Sequence, residues 1–300
     1  MRVATLEMDV RAGDVGGNLT AALTGLRAAA DAGAVLTVLP EMWTTGFTPD
    51  LGEGALADAA GALAEAAALS ATLGVAFVGS GPAMDPAMDP AMDPAMDPAV
   101  DPAVDPGALL PFNRAHVVVD GVVAAVHDKV HLFSPTAEHL AFRAGTAPPP
   151  VVELPGSGAR VAPIVCYDLR FPGVARAAFR AGADLLAVMA QWPEGRAAHW
   201  RALLPGRAVE AQATVVACNR IGEDEVGRRR MRLRFPGGSA VIGPDGEGVA
   251  AAVEVAIDAA PRPASRLSVH EVDLDRARRL RREVPVVRDE RRTLYGDWLR

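Results

Sequence analysis

The chain has 300 residues, half of them hydrophobic, and a formal net charge of −7, which suits one large core and argues against a general nucleic-acid binder. Two cysteines, Cys166 and Cys218, are too few for a disulfide framework, so a reduced, cytoplasmic setting is the expectation. Met1 to Glu7 opens directly into a strand-like pattern without a signal-peptide core, and no uninterrupted apolar run reaches membrane-spanning length; no membrane partner is expected.

Residues 2 to 9 read as a strand, and Asn18 is placed to cap a helix carrying Leu19, Leu23, Leu26 and Ala30 on one face. A short buried strand over 35 to 39 leads to Pro40 and Glu41. An alanine-rich helix over about 55 to 73 precedes a strand over 75 to 78. Phe112 to Val119, the turn Asp120-Gly121 and Val122 to Val126 predict a hairpin. Strands follow at 160 to 165, 184 to 189 and 214 to 219, alternating with helices over 171 to 181 and 196 to 213, the second with Pro205 as a site for a kink. A second hairpin is predicted over 239 to 257 around Pro244-Asp245-Gly246. A strand at 268 to 272 is followed by a charged helix and tail over 276 to 300. Hairpins among β-α units predict a layered α/β fold, with residues 1 to 275 as one domain.

Residues 83 to 106 are Ala-Met-Asp-Pro four times and Ala-Val-Asp-Pro twice. Proline at every fourth position removes a backbone donor and biases the preceding aspartate away from helical angles, so helix and central strand are both excluded. Without its six aspartates the chain would carry a formal charge of about −1. A solvated low-complexity insertion is the expectation; a calcium site would need glycine or backbone-carbonyl geometry that the repeat lacks.

Three apolar runs end on chemistry-bearing residues. Val35 to Pro40 delivers Glu41, Val122 to Asp128 delivers Lys129, and Val161 to Val165 delivers Cys166. Strand ends open onto loops, where α/β enzymes place reacting groups. Singly, each has a plain reading: a cysteine at a strand end is more often a core residue, a glutamate after proline closes a loop, and a lysine sits in solvent. Together they supply a base, a fixed cation and a sulfur nucleophile, which points to a thiol-dependent amide hydrolase. A free thiol is scarcely ionised at neutral pH, so Glu41 would take its proton. Lys129 and the Tyr167 amide would hold an oxyanion. Cys218, inside an apolar strand, reads as structural.

These segments resemble the nitrilase, or carbon–nitrogen hydrolase, superfamily. Pro40 to Phe47, His127 to Phe133 and Cys166 to Pro172 look like its three catalytic blocks, in the same order. The resemblance covers nearly the whole chain outside the repeat. It implies a four-layer αββα sandwich, a homodimer or larger homo-oligomer, and no metal or organic cofactor. It implies Glu41 as general base, Lys129 as oxyanion stabiliser and Cys166 as nucleophile. Glu138 matches a second glutamate that would orient Lys129 or position substrate.

Within the superfamily, Glu41 to Phe47, Glu138-His139 with Phe142 to Gly145, Gln191-Trp192-Pro193 with His199-Trp200, and Asn219 to Gly222 are similar to the omega-amidases. These hydrolyse the terminal amide of 2-oxo dicarboxylic acid monoamides. The expected partner is therefore a small anionic amide. Arg170 is read either as its contact or as half of a structural ion pair, and Trp192 as a pocket wall or as core. Nitrilase, N-carbamoyl amino-acid hydrolase and deaminated-glutathione amidase activities use the same triad, and a non-catalytic binding subunit is the competing class. Two features depart from the pattern. Ala211 stands where an asparagine is usual, and Gly227 to Pro236 is unusually basic, read as a solvated surface loop containing Arg228 to Arg234.

Overall fold

Leu36-Thr37-Val38 and Leu185 to Ala190 are buried at every position, which a strand achieves only when both faces of its sheet are covered. A computed structural model describes residues 1–49, 51–85, 110–227, 230–257, 265–291 and 293–294. The Asp-Pro repeat from residue 86 onward, Arg228, Arg229 and residues 295–300 lie outside them.

In chain order the described elements begin with β1 (Arg2–Glu7), α1 (Val15–Asp31), β2 (Leu36–Val38), α2 (Glu53–Leu73), β3 (Ala76–Ala83), β4 (Phe112–Val119) and β5 (Val122–Asp128). They continue with β6 (Val152–Leu154), β7 (Ala159–Val165), α3 (Pro172–Arg180), β8 (Leu185–Ala190), α4 (Ala197–Ala211) and β9 (Thr214–Asn219). Last come β10 (Ile221–Val226), β11 (Met231–Pro236), β12 (Ala240–Ile242), β13 (Ala251–Ile257), β14 (Ser265–Glu271), α5 (Leu274–Glu283) and α6 (Val286–Asp289).

Among the described residues, one sheet runs β13-β14-β1-β2-β3-β4-β5 and a second runs β12-β9-β8-β7-β6. The sheets face each other through β1, β2, β3 and β4 against β9, β8 and β7. α1 and α2 cover the outer face of the first, burying Leu6, Leu26, Phe77, Val118, Leu267 and Val269. On the second sheet, α3 and α4 bring Val174, Phe179 and Leu204 into a core that also holds Val38, Val78, Val117 and Ile164. This is the expected four-layer αββα sandwich. α2 has the length and apolarity of a membrane span, interrupted by Asp58 and Glu65. In the fold its Ala59, Ala62, Ala66 and Ala67 are buried.

Several sequence expectations change. Asn18 does not cap α1; Asp14 does, accepting the Gly17 N–H at 3.0 Å. Asn18 is buried inside the helix, and its amide donates to the carbonyls of Arg11 and Thr44, tying α1 to the loop after Glu41. The second predicted hairpin is a transfer between sheets. Its turn forms, with Gly243 N–H donating to Glu247 and Gly246 N–H to Gly243. β12 then belongs to the second sheet with β9, and β13 to the first with β14. Within the basic segment Met231–Pro236 is no loop: it forms β11, antiparallel to β10. Arg232 pairs with Glu223 across that ribbon and Arg230 with Glu225 beside its turn, while Arg234 pairs with Glu194 outside the ribbon. α4 runs through Pro205, as the expected helix over 196 to 213 does. β6 was not foreseen either.

Candidate active site

β1, β2 and β3 are parallel to one another, as are β7, β8 and β9. Glu41 follows β2, Cys166 follows β7 and Gln191 follows β8, so all three emerge at carboxyl ends of parallel strands, where open α/β sheets bind ligands. Lys129 follows β5, and its N–H donates to the Asn113 carbonyl at 3.0 Å.

The loop bearing Glu41 is anchored on β3. Ser80 takes the Met42 N–H on its hydroxyl and the Trp43 N–H on its carbonyl, each at 3.0 Å. Trp43 lies so close to β3 that a Cβ at Gly79 would come within 2.6 Å of its indole, so only glycine admits the loop there. The Lys129 segment is held similarly: Gly145 donates to the Lys129 carbonyl at 2.8 Å, and a Cβ on Gly145 would lie 2.2 Å from the Asp128 carbonyl oxygen. Met42 and Cys166 adopt φ of 49° and 40°, a left-handed conformation that is strained for side-chain-bearing residues and concentrates at functional sites.

The sequence-predicted residues converge. Lys129 Nζ donates to Glu41 Oε1 and to both oxygens of Glu138, each at 2.8 Å. Glu41, Lys129 and Glu138 are 0, 1 and 4% exposed, so an ammonium sits between two carboxylates with almost no water to screen them. Burial works against the charged lysine, but the charges of Glu138 and Glu41 outweigh it and hold the ammonium above its ordinary pKa. Glu138 also accepts the Phe133 N–H at 2.6 Å. The Cys166 thiol meets Glu41. Burial raises its pKa well above the ordinary thiol value, and the Glu41 carboxylate raises it further against the opposing pull of Lys129. At neutral pH the resting sulfur is a thiol.

Cys166, Glu41, Lys129 and Glu138 line one cleft, with Phe47, Phe133, Tyr167, Trp192, Arg170 and Arg196 among its walls. The β10–β11 ribbon closes one side through Val226, Leu233 and Phe235. Trp192 is buried against Trp200, with ring centroids 5.4 Å apart, and its indole N–H donates to the Arg196 carbonyl at 2.8 Å; it is wall and core at once. Arg170 makes no ion pair among the described residues. Its guanidinium donates to His199 Nδ1 at 3.0 Å and lies 4.8 Å from the Trp192 ring centroid. Cys218 is buried away from the cleft and donates to the Leu6 carbonyl. Among the described residues no cluster of three His, Cys, Asp or Glu side chains is arranged to hold a metal.

Sequence reasoning missed Asn113 and the role of Gln191. Asn113, fully buried on β4, donates to Glu41 Oε1 at 2.9 Å and to Glu138 Oε1 at 3.2 Å. Gln191 grips Glu41 twice: its N–H donates to Oε2 and its side-chain amide to the Glu41 carbonyl, each at 3.0 Å. Buried Arg220 donates to Gln191 Oε1 at 3.0 Å. Arg207 donates to the carbonyls of Leu169 and Arg170, fixing the turn after Cys166.

The described fold and chain have relatives. A family model described as carbon-nitrogen hydrolase matches residues 2–282. An omega-amidase, YafV of Escherichia coli (strain K12), is 43% identical over 140 residues, 47% of this chain and 51% of that protein. A 2-oxoglutaramate amidase of Bacillus subtilis is 34% identical over 59% of this chain and 61% of its own length. The matched region thus spans about half to three fifths of these curated relatives. Among solved structures, an amidase of Nesterenkonia sp. AN1 superposes with a TM-score of 0.73 at 26% identity, covering 99% of both chains. A glutamate-to-glutamine mutant of that amidase carries the acetamide moiety of fluoroacetamide on its active-site cysteine; it superposes at TM-score 0.74 with 26% identity, over 99% of this chain and 96% of its own. With the family model spanning nearly all of its residues, this chain belongs to the carbon–nitrogen hydrolase family.

Proposed function

We propose that the protein hydrolyses a linear carboxamide to carboxylate and ammonia through a thioester on Cys166. The observation that carries this is a buried Cys166 lining one cleft with the Glu41 carboxylate, which shares the Lys129 ammonium with a second carboxylate. Because the resting sulfur is protonated, attack must be coupled to proton transfer: Sγ bonds to the amide carbon as Glu41 takes the thiol proton. The carbonyl oxygen becomes an oxyanion facing Lys129 and the Tyr167 amide. The C–N bond then breaks as Glu41 returns that proton to the leaving nitrogen, which departs as ammonia. Water, deprotonated by Glu41, attacks the thioester; the C–S bond breaks, the sulfur regains its proton and the acid leaves. Glu138 and Asn113 keep Lys129 and Glu41 in register throughout.

The substrate in this reading is the terminal amide of a 2-oxo dicarboxylic acid monoamide. Similarity to proteins named omega-amidase and 2-oxoglutaramate amidase supports it, as do Arg170 and Arg196 in the cleft lining, which pair with no carboxylate among the described residues. A human deaminated glutathione amidase, 33% identical over 61% of this chain, keeps a longer amide as the second reading. A cytoplasmic, homodimeric or larger enzyme is part of the proposal, to be checked by fractionation and sedimentation. The functional test is continuous ammonia detection with 2-oxoglutaramate, deaminated glutathione, nitriles and N-carbamoyl amino acids. Turnover of 2-oxoglutaramate ahead of the others, abolished in a folded Cys166→Ala protein, is expected. No ammonia from any amide would overturn the hydrolase reading in favour of a binding subunit.

A further inference from the structure

The cleft is polarised. Its floor holds two carboxylates and one ammonium, formally −1, buried and unscreened. Its walls include two guanidinium groups, Arg170 and Arg196, that pair with no carboxylate among the described residues. Elsewhere near the cleft arginines are neutralised: Arg207 by Glu210, Arg220 by Asp224 and Arg234 by Glu194. Arg196 is also held in place. Its carbonyl accepts the Trp192 indole N–H, and its guanidinium lies 5.1 Å from the Phe133 ring centroid. Stacking on an aromatic face leaves the edge N–H groups of a guanidinium free to donate.

An anionic substrate can enter such a cleft in only one direction at low cost. Its carboxylate is repelled by the floor and attracted by the arginines, whereas an amide is neutral and meets no charge penalty beside Glu41. From this geometry we propose that Arg196, together with Arg170, binds the carboxylate of the substrate and thereby orients the distal amide toward Cys166. Arg196 is then a specificity-determining residue: it selects amides that carry a carboxylate at the far end of a short chain. The orientation rests on the amide-hydrolase reading, but the arginine site itself can be tested without turnover.

Two measurements decide it. The first is the ratio of kcat/KM for glutaramate to that for pentanamide, which lacks the carboxylate, in wild type, Arg196→Gln and Arg196→Lys. Arg196→Gln is expected to lower this ratio by about tenfold through KM, with partial recovery in Arg196→Lys. An unchanged ratio, including equal loss on both amides, overturns the proposal. The second uses unmodified protein: phenylglyoxal labelling of arginine, located by mass spectrometry, with and without pentanoate, whose single carboxylate can meet the arginines while its neutral end faces the floor. Pentanoate is expected to protect Arg196 and Arg170, and 1-pentanol, the same chain without charge, to protect less. Labelling of Arg196 indifferent to pentanoate also overturns the proposal, whether or not any variant folds. Protection by pentanoate in a protein that releases no ammonia would sink the hydrolase reading and leave the carboxylate site standing.

Discussion

Asp168 and His131 are joined twice: Asp168 Oδ1 accepts the His131 backbone N–H at 2.8 Å and lies 2.7 Å from His131 Nδ1. Asp168 Oδ2 also accepts the Val130 N–H at 3.2 Å. Asp168 is two residues after the thiol and His131 two residues after the ammonium, so one buried carboxylate sets the spacing between the two blocks. Asp168→Asn turns one acceptor into a donor facing those N–H groups. Its expected effect is a stability loss of about 2 kcal/mol and a fall in kcat of about 10- to 100-fold. Denaturant midpoints and single-turnover ammonia release would check both.

Lys129→Met removes the ammonium and leaves Glu41 and Glu138 facing each other in a dry site. Breaking such a buried arrangement costs about 3–5 kcal/mol, so the variant should lose stability as well as turnover. Adding Glu138→Gln to Lys129→Met should recover part of the stability and none of the activity. Equal destabilisation in single and double variants, read by thermal melts, would mean the charges are not what the lysine balances.

Glu41→Gln should separate two properties of the sulfur. Burial and the Glu41 charge both hold the thiol pKa above the ordinary 9.0. Iodoacetamide labelling of wild-type Cys166 should therefore keep rising through pH 9. Removing the carboxylate while Lys129 remains lowers the thiol pKa, so labelling in alkaline buffer should quicken while hydrolysis disappears. Slower labelling in Glu41→Gln would show that the carboxylate helps the sulfur even in simple alkylation.

His116, buried on β4, has its pKa lowered to about 4, first by burial and then by the Arg114 charge, with Asp128 opposing. The folded protein resists protonating it and the unfolded chain does not. Its contribution is fully present above the ordinary value of 6.5 and is lost as pH falls from there through about 4. The shift corresponds to at most about 3 kcal/mol. His127, also lowered by burial, acts in the same direction. Chemical unfolding of His116→Asn between pH 7 and 4 should give a shallower decline than wild type; parallel slopes would remove the assignment.

Much of the centre of the site was legible because Glu41, Lys129 and Cys166 each end an apolar run, and strand ends are where loops present side chains. The groups that hold them were not. Asn113 opens β4 like any polar residue entering a strand, and its meaning depends on registers with β3 and β5 that are set over long range. The Gln191 N–H acts through the backbone, which has no sequence signature. Asn18 was expected as the cap, yet Asp14 caps α1 and Gly16 and Gly17 lie inside its first turn. The Pro-Asp-Gly turn near 245 was read correctly as a reversal. A turn fixes direction only, and β12 and β13 then part to different sheets because each edge offered an unpaired strand.

Glu41 and Lys129 belong to one sheet, Cys166 and Gln191 to the other. The reacting groups therefore do not coexist until the two halves have mated and water has been squeezed from the seam. During refolding, amide cleavage should be the last signal to return, after far-ultraviolet circular dichroism has already recovered. A sandwich whose layers have slid apart would keep its strands and its thiol and have no chemistry.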